Sequence, residues 1–136
     1  MKLGSILLCI VVLAGCSSGK SLSDPYVITA DNGGNIREYQ KLRAKLAASE
    51  TTVRIEGYCL SSCTILYSLP KTCVAPGAKL AFHQSSTGFI GNAMLRPYYN
   101  GEVRRLFDEE WGRSKKLKYI TGRQLKKLDP SVQLCR

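Results

Sequence analysis

The sequence has few acidic residues, a single histidine and no apolar segment long enough for a stable membrane span. Asp and Glu number 10 against 20 Lys and Arg, which gives a formal net charge of +10. The apolar run from Ile6 to Ala14 is too short to cross a bilayer as a permanent helix. There is no internal repeat or low-complexity tract. With 136 residues, 44% of them hydrophobic, we expect one packed globular domain.

The excess of basic residues lacks the aromatic partners that nucleic-acid binding uses. The basic residues form short groups without an interleaved ladder of aromatic rings on which bases could stack. These groups are Arg104-Arg105, Lys115-Lys116-Lys118 and Lys126-Lys127. We therefore expect no nucleic-acid partner and interpret the groups as solvated surfaces. Attraction to an anionic membrane surface is the alternative.

Residues 1–15 have the pattern of a bacterial secretion signal, in which a basic residue, Lys2, precedes the apolar run. Leu13-Ala14-Gly15-Cys16 is similar to a lipobox, whose cysteine thiol accepts a lipid and becomes the new N-terminus. An ordinary signal peptide followed by a chance cysteine is the alternative. The lipobox predicts attachment to a lipid bilayer through acyl chains on Cys16, without a transmembrane helix.

The lipobox also predicts the domain organisation and the location. Residues 16–25 would be a lipidated tether, and residues 26–136 would be the folded domain. Ser17 rather than Asp follows the cysteine. In a Gram-negative host this predicts a protein anchored in the outer membrane and facing the periplasm.

Four cysteines follow the predicted lipidation site, namely Cys59, Cys63, Cys73 and Cys135. An even number in an exported domain predicts two disulfides, and the sequence does not distinguish the three pairings that four cysteines allow. A zinc site is the alternative, but the paired short spacings usual for structural zinc are missing. We expect no metal and no organic cofactor.

The hydrophobic pattern predicts an α/β domain with a small, mainly parallel sheet and flanking helices. A strand at Tyr26–Ala30, a helix from Ile36 to about Ala48 and a strand at Thr52–Glu56, ended by Gly57, form the first unit. Such a unit favours parallel strands joined by a right-handed crossover. The predicted elements that follow are a buried helix over Ser61–Leu69, strands at Thr72–Ala75 and Lys79–His83, and helices capped by Asn100 and Thr121.

Three polar segments fall at the carboxyl ends of predicted strands, where open α/β sheets place a ligand crevice. A serine at a strand-to-helix turn exposes its hydroxyl, and a histidine within reach could remove its proton. The next backbone N–H, with one from a glycine turn, could stabilise an oxyanion. Taken singly, each segment has an ordinary explanation as a helix cap, a core histidine or a turn. The segments are Gly33-Gly34, Ser61-Ser62 and His83-Gln84.

In order and spacing these segments resemble the serine peptidases of the ClpP/crotonase superfamily. Gly57 to Cys63 is similar to the family's nucleophile segment, with Ser61 four residues after a glycine. Cys73 to Gln84 is similar to the strand that leads to its His-Gln pair, and Asp31 to Gly34 is similar to its Ser-Pro-Gly-Gly oxyanion turn without the proline. Tyr119 to Leu125 resembles its C-terminal strand and helix.

The resemblance covers Tyr26 to about Leu128 and implies a ClpP/crotonase-like fold with serine hydrolase activity on a peptide or protein substrate. It implies Ser61 as the nucleophile, His83 as the base and then the acid, and the N–H groups of Gly34 and Ser62 as oxyanion donors. The Cys-x-Ser-x-Cys pattern is similar to that of exported ClpP-like proteins. Assembly into a homo-oligomer is compatible with the resemblance.

The chain departs from the family at the third member of the triad. That aspartate precedes the C-terminal strand, whereas the corresponding segment here, Gly112 to Lys116, contains no acid. Two functions therefore stay open, a membrane-anchored serine hydrolase and a non-catalytic envelope lipoprotein that uses the fold as a binding scaffold. An acid close to His83 would favour the hydrolase, and crowding of Ser61 by a disulfide would favour the binding scaffold. The acids that lie nearby in sequence without matching by position are Asp108, Glu109, Glu110 and Asp129.

Overall fold

The computed structural model describes residues 22–136. The predicted signal peptide, the predicted lipidation site Cys16 and the part of the predicted tether up to residue 21 lie outside this range. Among residues 22–136, no helix is long and apolar enough to cross a membrane.

The described part of the chain is an α/β domain with a mostly parallel mixed sheet and flanking helices, as the sequence predicts. Its strands are β1 Tyr26–Asp31, β2 Val53–Leu60, β3 Thr72–Val74, β4 Lys79–Phe82, β5 Lys118–Thr121 and β6 Gln133–Leu134. Its α-helices are α1 Ile36–Ala48, α2 Phe89–Leu95, α3 Gly101–Glu109 and α4 Gly122–Leu128. Short 3-10 helices span Ser61–Ser68, Arg96–Tyr98 and Trp111–Arg113.

The long central strand β2 organises the sheet. It pairs in parallel with β1 along one edge and with β3 and then β4 along the other. β6 extends the sheet in parallel beyond β3, whereas β5 runs antiparallel to β4. Leu60 is in register with Ala81, so β2 and β4 end side by side. The residues that follow these two strands, Ser61 and His83, consequently leave the sheet at the same place.

The predicted end of β2 at Gly57 is wrong, because the strand continues to Leu60. The pairing of β1 with β2 shifts register between Ile28 and Ala30, and a Cβ atom at Gly57 would overlap the carbonyl oxygen of Thr29. Gly57 therefore marks a bulge at which two backbones approach closely, and not the end of the strand.

The segment after β2 is buried, as predicted, but it is a 3-10 helix over Ser61–Ser68. Helix α1 packs beside it and supplies Arg43, whose guanidinium donates to the carbonyls of Ile65 at 2.5 Å and Ser68 at 3.2 Å. These bonds satisfy carbonyl groups toward the end of the helix, where intrahelical donors run out. Arg43 thus connects the crossover helix of the first β-α-β unit to the helix that carries Ser61.

The prediction of two disulfides is confirmed, and the structure gives their pairing. Cys59 pairs with Cys63, and Cys73 pairs with Cys135. The zinc alternative is wrong for these cysteines because all four sulfur atoms are bonded to each other in pairs. The two bridges lie at different places in the sheet, since Cys59 is near the carboxyl end of β2 and Cys73 is opposite Arg54 near its start.

Candidate active site

Ser61 occupies the sharp turn between β2 and the 3-10 helix. Its φ of +56° lies in the left-handed region, which a residue other than glycine rarely adopts. Such conformations cost on the order of 1–3 kcal/mol and persist where the surrounding structure enforces them, often at functional sites. The cap position of the helix belongs to Leu60, and no side chain caps it. The explanation of Ser61 as a helix cap is therefore wrong.

His83 follows β4 directly and reaches the Ser61 hydroxyl. Its Nε2 atom lies 2.8 Å from Ser61 Oγ, which is hydrogen-bond distance. The imidazole is half-buried and lines an open cleft, so it is not a core histidine. The preceding residue, Phe82, anchors the strand end because its ring packs 5.3 Å from Tyr99 and 5.1 Å from Trp111, measured between ring centroids.

A glycine turn lies against the start of the 3-10 helix. Gly33 has a φ of +76°, and a Cβ atom there would come within 2.9 Å of Ser61 Cβ. Only glycine allows both this conformation and this approach. The turn is thus built around Ser61.

Asp31 holds the glycine turn in place, a role that the sequence analysis missed. Its carboxylate accepts from Gly33 N–H at 2.8 Å and from the Tyr39 hydroxyl of α1. Burial and then the hydrogen bond to Asp31 raise the pKa of Tyr39 above its ordinary value, so the phenol stays protonated and donates. An aspartate two residues before a glycine N–H is the signature of an Asx turn, and this signal was present in the sequence.

The expected oxyanion donor at Gly34 is already bonded within the protein. Its N–H donates to Ser62 Oγ at 2.7 Å, and the same hydroxyl donates to Gly34 O at 2.9 Å. The expectation of an open Gly34 N–H is therefore not met in this conformation, because the buried Ser62 side chain fills the turn. The N–H of Ser62 itself lies in the first turn of the helix, where no intrahelical acceptor exists.

A buried chain of hydrogen bonds through Thr64 and Tyr99 supports the backbone carbonyl of Ser61. Thr64 Oγ1 donates to Ser61 O at 2.6 Å and lies 2.8 Å from the Tyr99 hydroxyl. Because the threonine proton is used on Ser61, Tyr99 must be the donor in the second bond. Burial raises the pKa of Tyr99, and the bond with Thr64 lowers it in part, so the phenol is protonated at neutral pH.

No acid completes a triad with His83. Among residues 22–136, no carboxylate forms a hydrogen bond or ion pair with its imidazole. In the segment from Gly112 to Lys116, which contains no acid, the Ser114 carbonyl accepts from Gln84 N–H at 2.7 Å. Asp108 is bonded to Arg96, and Asp129 is buried beside Ser131. The pair is a serine-histidine dyad.

Ser61 and His83 lie in a cleft of about 810 Å³ that also contains the glycine turn. The disulfide between Cys59 and Cys63 brackets Ser61, but both cysteines are fully buried and Ser61 is half-exposed. Neither cysteine lines the cleft, so Ser61 is accessible from that side. Apolar side chains form much of the wall, namely Ile36, Leu60, Ile90, Met94, Leu95 and Leu117.

No protein-family model and no curated protein matches the chain. The geometry of the site brings Ser61, His83, Ser62 and the Gly33-Gly34 turn together. Within residues 22–136, no group of three or more His, Cys, Asp or Glu side chains is arranged to hold a metal ion.

Proposed function

We propose that the protein is a serine hydrolase of the peptidase class, with a fold related to the ClpP/crotonase superfamily. One observation carries the proposal. Ser61 has a strained backbone at a strand-to-helix turn, and its hydroxyl lies 2.8 Å from the imidazole of the only histidine, inside an open cleft. This is the arrangement of an activated nucleophile and its base.

The proposed reaction uses the dyad in two steps. Ser61 Oγ bonds to the carbonyl carbon of a peptide while its proton passes to His83 Nε2. The C–N bond then breaks, and His83 returns the proton to the leaving amine. In the second step His83 takes a proton from water, the hydroxide attacks the acyl-serine ester, and Ser61 recovers its proton as the carboxylic acid leaves.

Oxyanion stabilisation requires one rearrangement at Ser62. The Ser62 N–H lies in the first turn of the helix and has no intrahelical acceptor, whereas the Gly34 N–H already donates to the Ser62 hydroxyl. We propose that the developing oxyanion displaces this hydroxyl. Ser62→Ala should then raise the rate of serine modification about fivefold, the equivalent of one hydrogen bond of about 1 kcal/mol. A lower rate in folded Ser62→Ala would mean that the hydroxyl orders the turn and does not obstruct it.

The missing acid predicts slow turnover. Loss of the aspartate that orients a catalytic histidine costs about 10⁴ in kcat in serine proteases. The first experiment is therefore covalent labelling of Ser61 with a fluorophosphonate, followed by intact mass, and not substrate turnover. Labelling of the oxidised protein should disappear in Ser61→Ala and in His83→Ala. Ser86→Ala is the matched control, because Ser86 lines the same cleft and should be dispensable.

A non-catalytic binding lipoprotein is the second candidate. The lack of a carboxylate at His83 among the described residues and the occupied Gly34 N–H favour it. Absence of labelling in folded wild-type protein and in Ser62→Ala would leave this function as the better one.

We also propose the lipid anchor at Cys16 and an outer-membrane location facing the periplasm. Support comes from the lipobox-like Leu13-Ala14-Gly15-Cys16 and from Ser17. Mass spectrometry of protein from outer-membrane fractions should find acyl groups on an N-terminal Cys16, and Cys16→Ser should abolish membrane attachment. An unmodified cysteine would contradict the anchor.

A further inference from the structure

Two basic side chains line the cleft and have no acidic partner in the described part of the chain. Arg37 lies in the first turn of α1, just after the glycine turn. Lys115 follows Ser114, whose carbonyl accepts from Gln84 N–H. Both are exposed. Within residues 22–136, neither side chain forms an ion pair, and no Asp or Glu lines the cleft.

Some other basic side chains of the domain are neutralised by ion pairs. Arg54 pairs with Glu56, and Arg105 pairs with Glu102 and Glu109. A cleft with unpaired charges of one sign attracts ligands of the opposite sign and raises their local concentration. The electrostatics of the cleft therefore favour an anionic ligand.

The same cleft offers an apolar surface close to Ser61. Ile90 is 69% exposed and Leu117 is 39% exposed, although both are large hydrophobic side chains. Apolar walls with a few polar groups at defined positions are typical of binding clefts. A ligand that covered these side chains would gain the free energy of removing them from water.

We infer that the cleft binds a polypeptide segment that combines a bulky apolar residue with acidic residues. The inference rests on the proposed function and adds its substrate class. Arg37 lies in α1 and Lys115 in the loop before β5, so separate acidic side chains of one peptide can meet both. The apolar residue would pack against Ile90 and Leu117 while the peptide carbonyl reaches Ser61.

The test is a binding measurement that does not depend on catalysis. Fluorescein-labelled peptides that share a central leucine and carry Glu, Gln or Lys on both sides are titrated into full-length Ser61→Ala protein, and anisotropy is recorded. The Glu peptide should bind roughly tenfold tighter than the Gln peptide, the effect of two exposed ion pairs. The Lys peptide should bind most weakly, and added salt should reduce the difference.

A pair of double variants shows whether the preference belongs to the cleft. Arg37→Glu/Lys115→Glu should abolish or reverse the preference. Arg123→Glu/Lys127→Glu changes the net charge equally on α4, away from the cleft, and should preserve it. The Glu introduced at position 37 lies in the first turn of a helix, where an acidic side chain is favourable, so folding should survive.

Each outcome decides between alternatives. Equal binding of the three peptides, or a preference that survives Arg37→Glu/Lys115→Glu, would overturn the inference. Binding to phosphatidylglycerol vesicles through the same two residues, without a Glu preference, would overturn it in favour of a membrane surface. Fluorophosphonate labelling separates the two proposals, because Ser61 can be reactive whether or not acidic peptides are preferred.

Discussion

The two disulfides enclose very different lengths of chain. Cys59 and Cys63 are four positions apart, lie on either side of Ser61 and are fully buried. Cys73 and Cys135 are 62 positions apart, and this bridge ties the C-terminal strand β6 to β3. Both of its cysteines are partly exposed. One bridge therefore closes a turn at the dyad, and the other closes a loop of more than half of the described domain.

The difference in loop length predicts that one bridge acts mainly on stability and the other mainly on the geometry of the site. A cross-link stabilises a protein mainly by restricting the unfolded chain, and the effect grows with the logarithm of the enclosed loop. The long loop should therefore contribute more to the free energy of unfolding. The short loop restricts little of the unfolded chain, but it joins the end of β2 to the helix that carries the strained Ser61. We expect it to act chiefly on the site.

The largest predicted effect is the loss of the long-range bridge. Cys73→Ala/Cys135→Ala should lower the free energy of unfolding by about 4 kcal/mol, measured by urea denaturation. The fluorophosphonate labelling rate of the folded fraction should stay within a factor of about two, since Cys73 lies near the start of β2 and Ser61 follows its end. Strong loss of labelling in protein that is still folded would contradict the division between the bridges.

The next effect concerns the bridge around Ser61. Cys59→Ala/Cys63→Ala should cost about 2 kcal/mol of stability by the same loop argument. Its labelling rate should fall at least about tenfold, because the left-handed conformation of Ser61 is no longer enforced at both ends. The matched comparison is the other double variant, which likewise replaces two bridged cysteines by alanine. An unchanged labelling rate would show that the surrounding packing alone maintains the turn.

Much of the sheet could be predicted because local patterns and tertiary structure agree. The β1-α1-β2 unit has alternating and helical periodicity, and Asn35 caps α1 by accepting from Arg37 N–H. The bulge at Gly57 and the antiparallel pairing of β5 were not predicted, since each depends on a neighbouring strand and not on local pattern. The disulfide pairing was open for the same reason.

The site was only partly predictable. Ser61, His83 and the glycine turn were found from spacing, and the structure brings them together. Ser62 was expected to offer its N–H, but its hydroxyl was not expected to bind Gly34. Side-chain hydrogen bonds across long sequence separations leave no periodic signal, so neither this contact nor the support from Tyr99 could be predicted from the sequence.

A smaller effect tests whether the hydrogen bonds from Tyr99 and Thr64 matter as much for Ser61 as the disulfide between Cys59 and Cys63. Tyr99→Phe leaves Thr64 without its donor and should cost about 1 kcal/mol of stability. Because Thr64 bonds to Ser61 O, the labelling rate should also fall, about threefold to fivefold. Tyr98→Phe is the matched control, since its ring still packs against Arg43. Equal labelling by both variants would confine the role of Tyr99 to packing.

The smallest effect compares two helix caps of the same strength at different distances from the site. Asn35 caps α1 immediately after the glycine turn, and Thr121 forms a capping box with Gln124 at α4. Asn35→Ala and Thr121→Ala should each cost about 1 kcal/mol of stability, measured by urea denaturation. Only Asn35→Ala should also slow fluorophosphonate labelling, because the fraying helix end carries the glycine turn away from Ser61. Equal slowing by both variants would mean that labelling follows global stability, and the distinction drawn between the two disulfides would then fail with it.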